Sequence, residues 1–292
     1  MIKNISIFTI GIISLASASI LVKFCTDVPS LMIATYRLVI SALILIIFFK
    51  IKGGTFKTIR RKDILLSILS GFILSVHFAT WFESLKLTSV ASSVVLVTTN
   101  PLFVGIFSVI FLKEKLQKEI VIGIFLSIVG SAILAVGDSG LSGFAITDKN
   151  ALIGDILALI GAICASCYLL IGSKVREHLD ITTYVTLAYT SSAIFLLLLS
   201  LTKGIPFTGY KNSSYLSMLL LAIFPQLVGH TSINWALKHL KTSMVAIAIL
   251  GEPIGATILA YFIFNETIDI YKFIGICLIF ISIIIASKKG AK

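Results

Sequence analysis

The sequence is poor in charged residues and lacks any long polar stretch. Asp, Glu, Lys and Arg make up 13% of its 292 residues, whereas soluble domains carry about 25%. The mean hydropathy is +1.08, and 58% of the residues are hydrophobic. Nothing in the chain is polar enough to form a separate water-soluble domain. This composition excludes an ordinary soluble protein and predicts an all-α, polytopic membrane protein.

Cysteines and familiar catalytic motifs are also scarce. The four cysteines do not form a disulfide framework. Cys164 and Cys167 form a C-x-x-C inside an apolar run without a second pair, so ordinary packing is favoured over zinc or redox chemistry. The H-E-x-x-H and G-x-S-x-G motifs are absent. We therefore predict no catalytic residue, no metal and no cofactor. A membrane-embedded enzyme using buried Glu and His, or a receptor or scaffold, remains an alternative.

Long apolar runs are what the sequence does have. A helix needs about 20 apolar residues to cross a hydrocarbon core of about 30 Å. The sequence predicts ten such helices, at 5–24, 29–49, 64–84, 88–112, 119–137, 151–173, 181–201, 214–236, 242–264 and 270–287. The first run carries an A-x-A-like segment at Ala16 to Ala18, which leaves a cleaved signal peptide as an alternative. Because the run continues through Val22, a first spanning helix is favoured.

The net charge of +11 lies in the short gaps between apolar runs, so a nucleic-acid partner is not expected. If the N-terminus is inside, 17 of the 24 Lys and Arg residues fall in cytoplasmic segments and six on the other side, with Arg37 inside a span. Cytoplasmic loops are enriched in these residues. We therefore predict an integral, multi-pass plasma membrane protein with both termini in the cytoplasm.

The two halves of the chain resemble each other at an offset of 152 residues. This offset places Pro101 on Pro253, Glu114 on Glu266 and Gly123 on Gly275 without a gap. The predicted organisation is a first five-helix repeat at 1–137, a linker at 138–150 and a second repeat at 151–292. Because five is odd, the two repeats would cross the membrane in opposite senses. Transporters built in this way bind substrate near the midplane, at the repeat interface.

A polar residue precedes each of these prolines, with Asn100 before Pro101 and Glu252 before Pro253. A proline lacks an N–H and breaks the helix, which frees a carbonyl four residues earlier. Glu252 lies about 15 Å from the predicted start of its helix, close to mid-membrane. The pair predicts two helix breaks lining a cavity. The alternative is a kink whose polar side chain bonds a neighbouring helix.

These residues carry a resemblance to the EamA-type branch of the drug/metabolite transporter superfamily. The motifs that carry the resemblance are Tyr36–Arg37, NPLFVGIFSVIFLKEKL from Asn100, Gly154–Asp155 and GEPIGATILAYFIFNETI from Gly251. Lys113 and Asn265 stand where the family usually has glycine. The resemblance implies a secondary carrier that works by alternating access around a central cavity. It also implies small-molecule cargo such as amino acids, other metabolites or toxic compounds, often moved outward, so a multidrug efflux carrier is a further alternative.

Other polar side chains within the spans are substrate-binding or coupling candidates. Arg37 either snorkels to the outer surface or faces the cavity, where it could hold a carboxylate. Spacing of four residues aligns polar side chains on the third and eighth spans, although each histidine could be a packing residue and Trp81 an interfacial anchor. These candidates, with Tyr168 as a weaker one on the sixth span, are His77, Trp81, Gln226, His230 and Asn234.

The sequence thus predicts a secondary active transporter whose partners are a small-molecule substrate, the lipid bilayer and protons as a coupling ion. Glu252 is the predicted proton or substrate group. Gly123 and Gly130, echoed by Gly275 and Ser282, predict helix contact surfaces. Such surfaces are compatible with packing within one chain or with a homodimer.

Overall fold

The computed structural model of the protein describes residues 2–88, 90–113, 115–139, 149–265 and 267–288, and within these ranges the chain is helical without β-strands. A π-helical segment, Ala222–His230, joins α9 to α10. The α-helices are α1 Ile2–Lys23, α2 Ser30–Ile51, α3 Arg61–Leu87, α4 Val90–Val97, α5 Asn100–Phe111, α6 Lys118–Ser139, α7 Lys149–Val175, α8 Ile181–Thr202, α9 Asn212–Leu221, α10 Thr231–Ala236, α11 Thr242–Ile249, α12 Gly251–Phe264 and α13 Ile270–Ser287.

Nine spans among the described residues are long and apolar enough to cross a membrane. Three of them, Ser92–Phe111, Asn212–Ala236 and Thr242–Phe264, contain more than one helical segment. The first predicted span corresponds to α1, whose apolar part Thr9–Lys23 is shorter than the other nine. The predicted fold class is therefore confirmed as an all-α polytopic membrane protein, with nine of the ten predicted spans meeting the length and hydropathy requirement.

Local capping explains why two of the helices begin where they do. The side chain of Asp180 accepts a hydrogen bond from the backbone N–H of Thr183 at the start of α8 (3.1 Å). Asp269 accepts from the N–H of Lys272 at the start of α13 (2.8 Å). A carboxylate in this position bonds an N–H group that has no acceptor within the helix. These two helices begin at the predicted residues, 181 and 270.

Several helix bounds of the first half recur in the second half. Helices α4 and α11 cover 90–97 and 242–249, and α6 and α13 begin at 118 and 270, an offset of 152 in each case. The same offset links two backbone features. Lys113 (φ +56°) and Asn265 (φ +54°) are the non-glycine residues with positive φ in the described ranges. A left-handed residue of this kind commonly ends a helix and favours glycine, the residue that the resemblance implies at both positions.

The chain forms two compact units, each built from both halves of the sequence. Unit 1 contains residues 1–79 and 171–238, and unit 2 contains residues 80–170 and 239–292. Helices α3 and α7 therefore each contribute to both units.

In unit 1, α2 packs along α8, and α1 packs against the π-helical segment and α10. Its core includes Met32, Ile33, Met218 and Leu221. The loop between α1 and α2 is fastened to the start of α9 because the carboxylate of Asp27 accepts hydrogen bonds from the Ser214 hydroxyl and the Lys211 N–H. These two hydrogen bonds lower the pKa of the Asp27 carboxyl below its usual range.

In unit 2, α6 packs along α13 and α5 packs against α11. Helices α6 and α13 approach each other closely because Gly130 on α6 faces Gly275 on α13. A Cβ added to Gly275 would lie 2.7 Å from the carbonyl oxygen of Gly130 and 2.7 Å from Leu134. A Cβ on Gly123 would lie 3.1 Å from Ala286. The predicted glycine contact surfaces are therefore used within one chain.

Candidate functional site

Arg37 lies within α2 and is buried, with 4% of its surface exposed. Its Nε donates a hydrogen bond of 2.7 Å to Oε1 of Gln226 on the π-helical segment. A snorkelling side chain keeps its charged head in water. The burial and the bond to Gln226 show that Arg37 does not snorkel.

Aromatic rings complete the surroundings of Arg37. The guanidinium carbon lies 4.9 Å from the centroid of the buried Phe78 ring on α3, a distance at which a cation is attracted to the ring face. The ring of His230 lies 6.0 Å from the same phenyl ring, and the ring of His77 lies 5.0 Å from it. We refer to Arg37, Phe78, Gln226 and His230 as the Arg37 cluster.

The π-helical segment supports two members of this cluster, Gln226 and His230. It contains Pro225, which has no N–H to donate, and π-helical turns often mark functional sites. The carbonyl of Ala222, at its start, accepts a hydrogen bond of 3.0 Å from the Ser41 hydroxyl on α2. Helix α1 approaches its other side closely, since a Cβ on Gly229 would lie 2.8 Å from the Leu15 side chain. The segment is therefore anchored by α1 and α2.

Asn234 extends the polar line beyond His230. Its side-chain Nδ2 donates to the His230 carbonyl (2.7 Å) and to the Tyr189 hydroxyl (3.3 Å), and the side chain is fully buried. The backbone carbonyl of Asn234 accepts a hydrogen bond of 3.1 Å from Nε of Arg176, which lies just after α7. Burial lowers the pKa of the Arg176 guanidinium, while the charge of Asp180 opposes this effect.

Four of the predicted residues lie in unit 2. Asn100 is the first residue of α5 and is buried. Its backbone carbonyl accepts a hydrogen bond from the Ser166 hydroxyl (3.1 Å), whereas its side-chain Oδ1 has no hydrogen-bond partner among the described residues. Glu252 is partly buried in the first turn of α12. Tyr168 is buried on α7, and the partly buried Trp81 has its ring 5.1 Å from that of Phe82.

The spans that contain Pro101 and Pro253 are each interrupted just before the proline. Helix α4 ends at Val97 and α5 begins at Asn100, while α11 ends at Ile249 and α12 begins at Gly251. In the first interruption, the hydroxyls of Thr98 and Thr99 donate to the carbonyls of Val95 (3.0 Å) and Leu96 (2.6 Å). Side-chain hydroxyls thus bond to backbone carbonyls where the span changes from one helix to the next, as a membrane environment requires.

Unit 1 also has an open cleft of about 530 Å³, lined by residues of the α2–α3 and α7–α8 loops. Within it, the buried Asp63 accepts a hydrogen bond from Nε of Arg60 (2.8 Å) and lies 3.8 Å from Nδ1 of His178. These are loop and helix-end residues. They do not belong to the Arg37 cluster.

Comparisons with known proteins identify the family of this chain. The profile of the EamA-like transporter family matches residues 2–136 and 152–288, nearly the whole chain. The chain belongs to this family.

Curated relatives of this EamA-like protein are themselves transporters by name. An uncharacterized transporter of Clostridium kluyveri is 30% identical over 228 residues, covering 78% of this chain and 73% of the relative. One from Archaeoglobus fulgidus is 25% identical over 245 residues, covering 83% and 82%. Human solute carrier family 35 member G1 is 27% identical over 256 residues, covering 85% and 68%.

The crystal structure of another protein has the same fold. It superposes with a TM-score of 0.83 at 17% sequence identity, over 98% of this chain and 96% of the other.

The structure brings together five predicted residues of this EamA-like protein in unit 1, namely Arg37, His77, Gln226, His230 and Asn234. It adds Phe78, Tyr189 and Arg176, which were not predicted. Phe78 had no signal beyond its position next to His77, and Arg176 was counted only as a loop charge. Tyr189 lies three residues after Thr186 on α8. Several polar residues occur together in this part of the span, and they could have indicated a site there.

Proposed function

We propose that this EamA-like protein is a secondary active transporter that exports small metabolites, such as amino acids or related solutes, by alternating access. The observation that carries this proposal is the Arg37 cluster. A guanidinium and an amide are buried together within membrane-spanning helices, where polar groups are costly and usually serve the transported solute. Family membership supports a transporter rather than an enzyme or a receptor.

We further propose that the chain has ten spans arranged as two inverted five-helix repeats, 1–137 and 151–292 with a linker at 138–150. Three observations support a duplication. The family profile matches the chain twice, helix bounds recur at an offset of 152, and left-handed residues 113 and 265 share that offset. Counting α1 as a span gives each repeat five spans, and an odd number makes the repeats opposite in orientation.

Glu252 is the proposed coupling residue. Its carboxylate lies in the first turn of α12, immediately after the interruption of the span at Leu250, and it is only partly buried. The N-terminal end of a half-helix stabilises an anion, and transporters place substrate or ion sites at such interrupted helices. In this proposal Glu252 takes up and releases a proton, or contacts the solute, during each cycle.

The test is transport by purified protein reconstituted into sealed liposomes. Amino acids and small metabolites are screened with and without a proton gradient, because only a carrier requires two compartments. Glu252→Gln should abolish gradient-driven net transport while leaving folded protein in the membrane, since glutamine keeps the shape but cannot titrate. Glu177→Gln is the matched control, because Glu177 is an exposed loop residue paired with Lys174 (3.1 Å). Full activity of the Glu252 variant would remove this residue from the mechanism.

A further inference from the structure

The segment that joins α2 to α3 carries positive charge and no negative charge. Residues 50–62 contain six Lys or Arg residues and no Asp or Glu. All six are exposed. Arg60 pairs with the buried Asp63 (2.8 Å), and the other five form no ion pair within the described residues. We refer to these five as the basic surface, namely Lys50, Lys52, Lys57, Arg61 and Lys62.

The chain that carries the basic surface is packed against the end of α2. Gly53, just after the C-cap of α2, has a φ of +68°, which glycine adopts without strain. The next residue, Gly54, packs on the ring of Phe49, since an added Cβ would lie 2.5 Å from that ring. The ring of Phe56 stacks on Phe49, with 4.5 Å between the ring centroids. Glycines and aromatic rings thus give the segment a defined shape.

The basic surface lies beside side chains that face the lipid. Helices α2 and α3 are both long and apolar enough to span a membrane, and only residues 52–60 lie between them. This short connection therefore lies at the membrane surface. At the end of α2, Ile51 and Phe48 are exposed, at 78% and 44%. Nζ of Lys52 lies 4.4 Å from the centroid of the Phe48 ring. A lysine in this position lays its stem along apolar surface and keeps its ammonium group at the depth of the lipid headgroups.

The charge and the position of these side chains select the partner. Lys and Arg donate charge-assisted hydrogen bonds to phosphate oxygens. Clusters of about four to eight Lys and Arg beside a membrane helix attract anionic lipids. A soluble anion would be held by charge alone, whereas a phospholipid also places its acyl chain against Phe48 and Ile51. The lipid phosphate is therefore the acceptor that matches both the charge and the apolar neighbours.

We propose that the basic surface binds the headgroups of anionic phospholipids, with Phe48 and Ile51 against the acyl chain. This interaction goes beyond the proposed transport function and does not depend on it. It also goes beyond the orientation of the chain, because orientation requires positive charge only while the helices insert into the membrane. A bound anionic lipid would remain on the folded protein.

The lipid preference is tested with the purified full-length protein in detergent. The protein is titrated with phosphatidylglycerol and with phosphatidylcholine of the same acyl chains. Bound lipids are counted by native mass spectrometry and the melting temperature is measured, because binding to the native state raises apparent stability. We expect phosphatidylglycerol to bind more tightly and to raise the melting temperature more. The difference should shrink between about 0.1 M and about 1 M salt, as the screening length falls from about 10 Å to about 3 Å. Equal binding of the two lipids would overturn the proposal.

The decisive variant combines Lys50→Gln, Lys52→Gln and Lys57→Gln. All three side chains are exposed, so the lipid-free melting temperature should not change. We expect the affinity for phosphatidylglycerol to fall at least about tenfold and the affinity for phosphatidylcholine to stay the same. The corresponding Lys→Arg variant keeps the charges and should bind like the unmodified protein. Undiminished binding of phosphatidylglycerol by the glutamine variant would contradict the proposal.

The segment between α5 and α6 provides a matched control. It also contains three exposed lysines, but Glu114 and Glu119 offset much of their charge. The control variant replaces the same number of lysines by glutamine and should bind phosphatidylglycerol normally; the positions are Lys113, Lys115 and Lys118. Equal losses in the two glutamine variants would show that net charge matters and the basic surface does not.

Soluble anions distinguish the lipid from other sources of phosphate. Glycerol 3-phosphate carries the phosphate without the acyl chains and should cause no shift at the lipid concentrations used. A shift as large as that with phosphatidylglycerol would assign the basic surface to a soluble anion and overturn the proposal. Binding of an oligonucleotide without any preference between the two lipids would overturn it as well. None of these measurements involves transport, so their outcome leaves the proposed function to be judged by the liposome experiment.

Discussion

At the scale of single residues, the most informative side chain is Arg37. Its position inside a span was evident from the sequence, but its surroundings were not. A guanidinium can bond an amide through Nε and at the same time lie against a phenyl face, whereas an ammonium group is a compact point charge. Arg37 makes both contacts, to Gln226 and to Phe78. Its function should therefore depend on the guanidinium and not on positive charge alone.

Arg37→Lys is expected to reduce transport strongly while leaving the protein folded. Lysine keeps the charge but cannot keep both the 2.7 Å bond to Gln226 and the ring contact. The initial rate in liposomes and the melting temperature should be measured together. Arg60→Lys serves as the control, since the Arg60 side chain is 60% exposed and pairs with Asp63. Equal rates for both variants would show that only the charge matters.

At the scale of helices and their ends, the left-handed residues after α5 and α12 stand out. Lys113 and Asn265 have φ of +56° and +54°. This conformation brings Cβ close to the following carbonyl, at a cost of about 1–2 kcal/mol for most residues. Asparagine tolerates the left-handed region better than lysine does. The two sites should therefore respond unequally to glycine.

Lys113→Gly should stabilise the protein by up to about 1 kcal/mol, because glycine adopts positive φ without a steric penalty. Asn265→Gly should have a smaller effect. Melting temperatures of the two variants in the same detergent provide the comparison. A larger gain at Asn265, or a loss at Lys113, would show that the side chains have another role there.

The contact between α6 and α13 depends on the absence of side chains. A Cβ on Gly275 would lie 2.7 Å from the backbone oxygen of Gly130, which cannot move without moving α6. Gly275→Ala should lower the free energy of unfolding by about 1–3 kcal/mol, as overpacking does. Gly105→Ala is the matched control. Its nearest atom, at 2.9 Å, is the terminal methyl of Ile124, which can rotate away. Equal melting temperatures for the two variants would contradict this view of the contact.

At the scale of the whole molecule, the charge bias predicts the orientation of the chain in the membrane. Thr55, in the α2–α3 loop, and Thr208, in the α8–α9 loop, are both exposed and would lie on opposite sides. In a cysteine-free background, an impermeant maleimide should label Thr208→Cys in intact cells. It should label Thr55→Cys only after the membrane is opened, because the basic loops remain in the cytoplasm. The reverse pattern would place both termini outside.

Much of the architecture was predictable because it depends on local physics. Apolar length predicted nine spans that the structure describes, and capping by Asp180 and Asp269 set the starts of α8 and α13. The π-helical form of residues 222–230 was not predicted. Pro225 indicated an irregularity in this helix. The π-helical form of the segment also depends on its contacts with α1 at Gly229 and with α2 through Ser41.

The sequence by itself determined that this chain is a polytopic membrane protein, where α8 and α13 begin, and to which family it belongs. Those properties follow from transfer free energies and hydrogen bonding between neighbouring residues, which need no knowledge of the distant chain. Only the tertiary structure decided that Arg37 is buried against Gln226, 189 positions away. Such a contact is made when α2 packs on the π-helical segment, and no local pattern encodes which side chains meet across that interface.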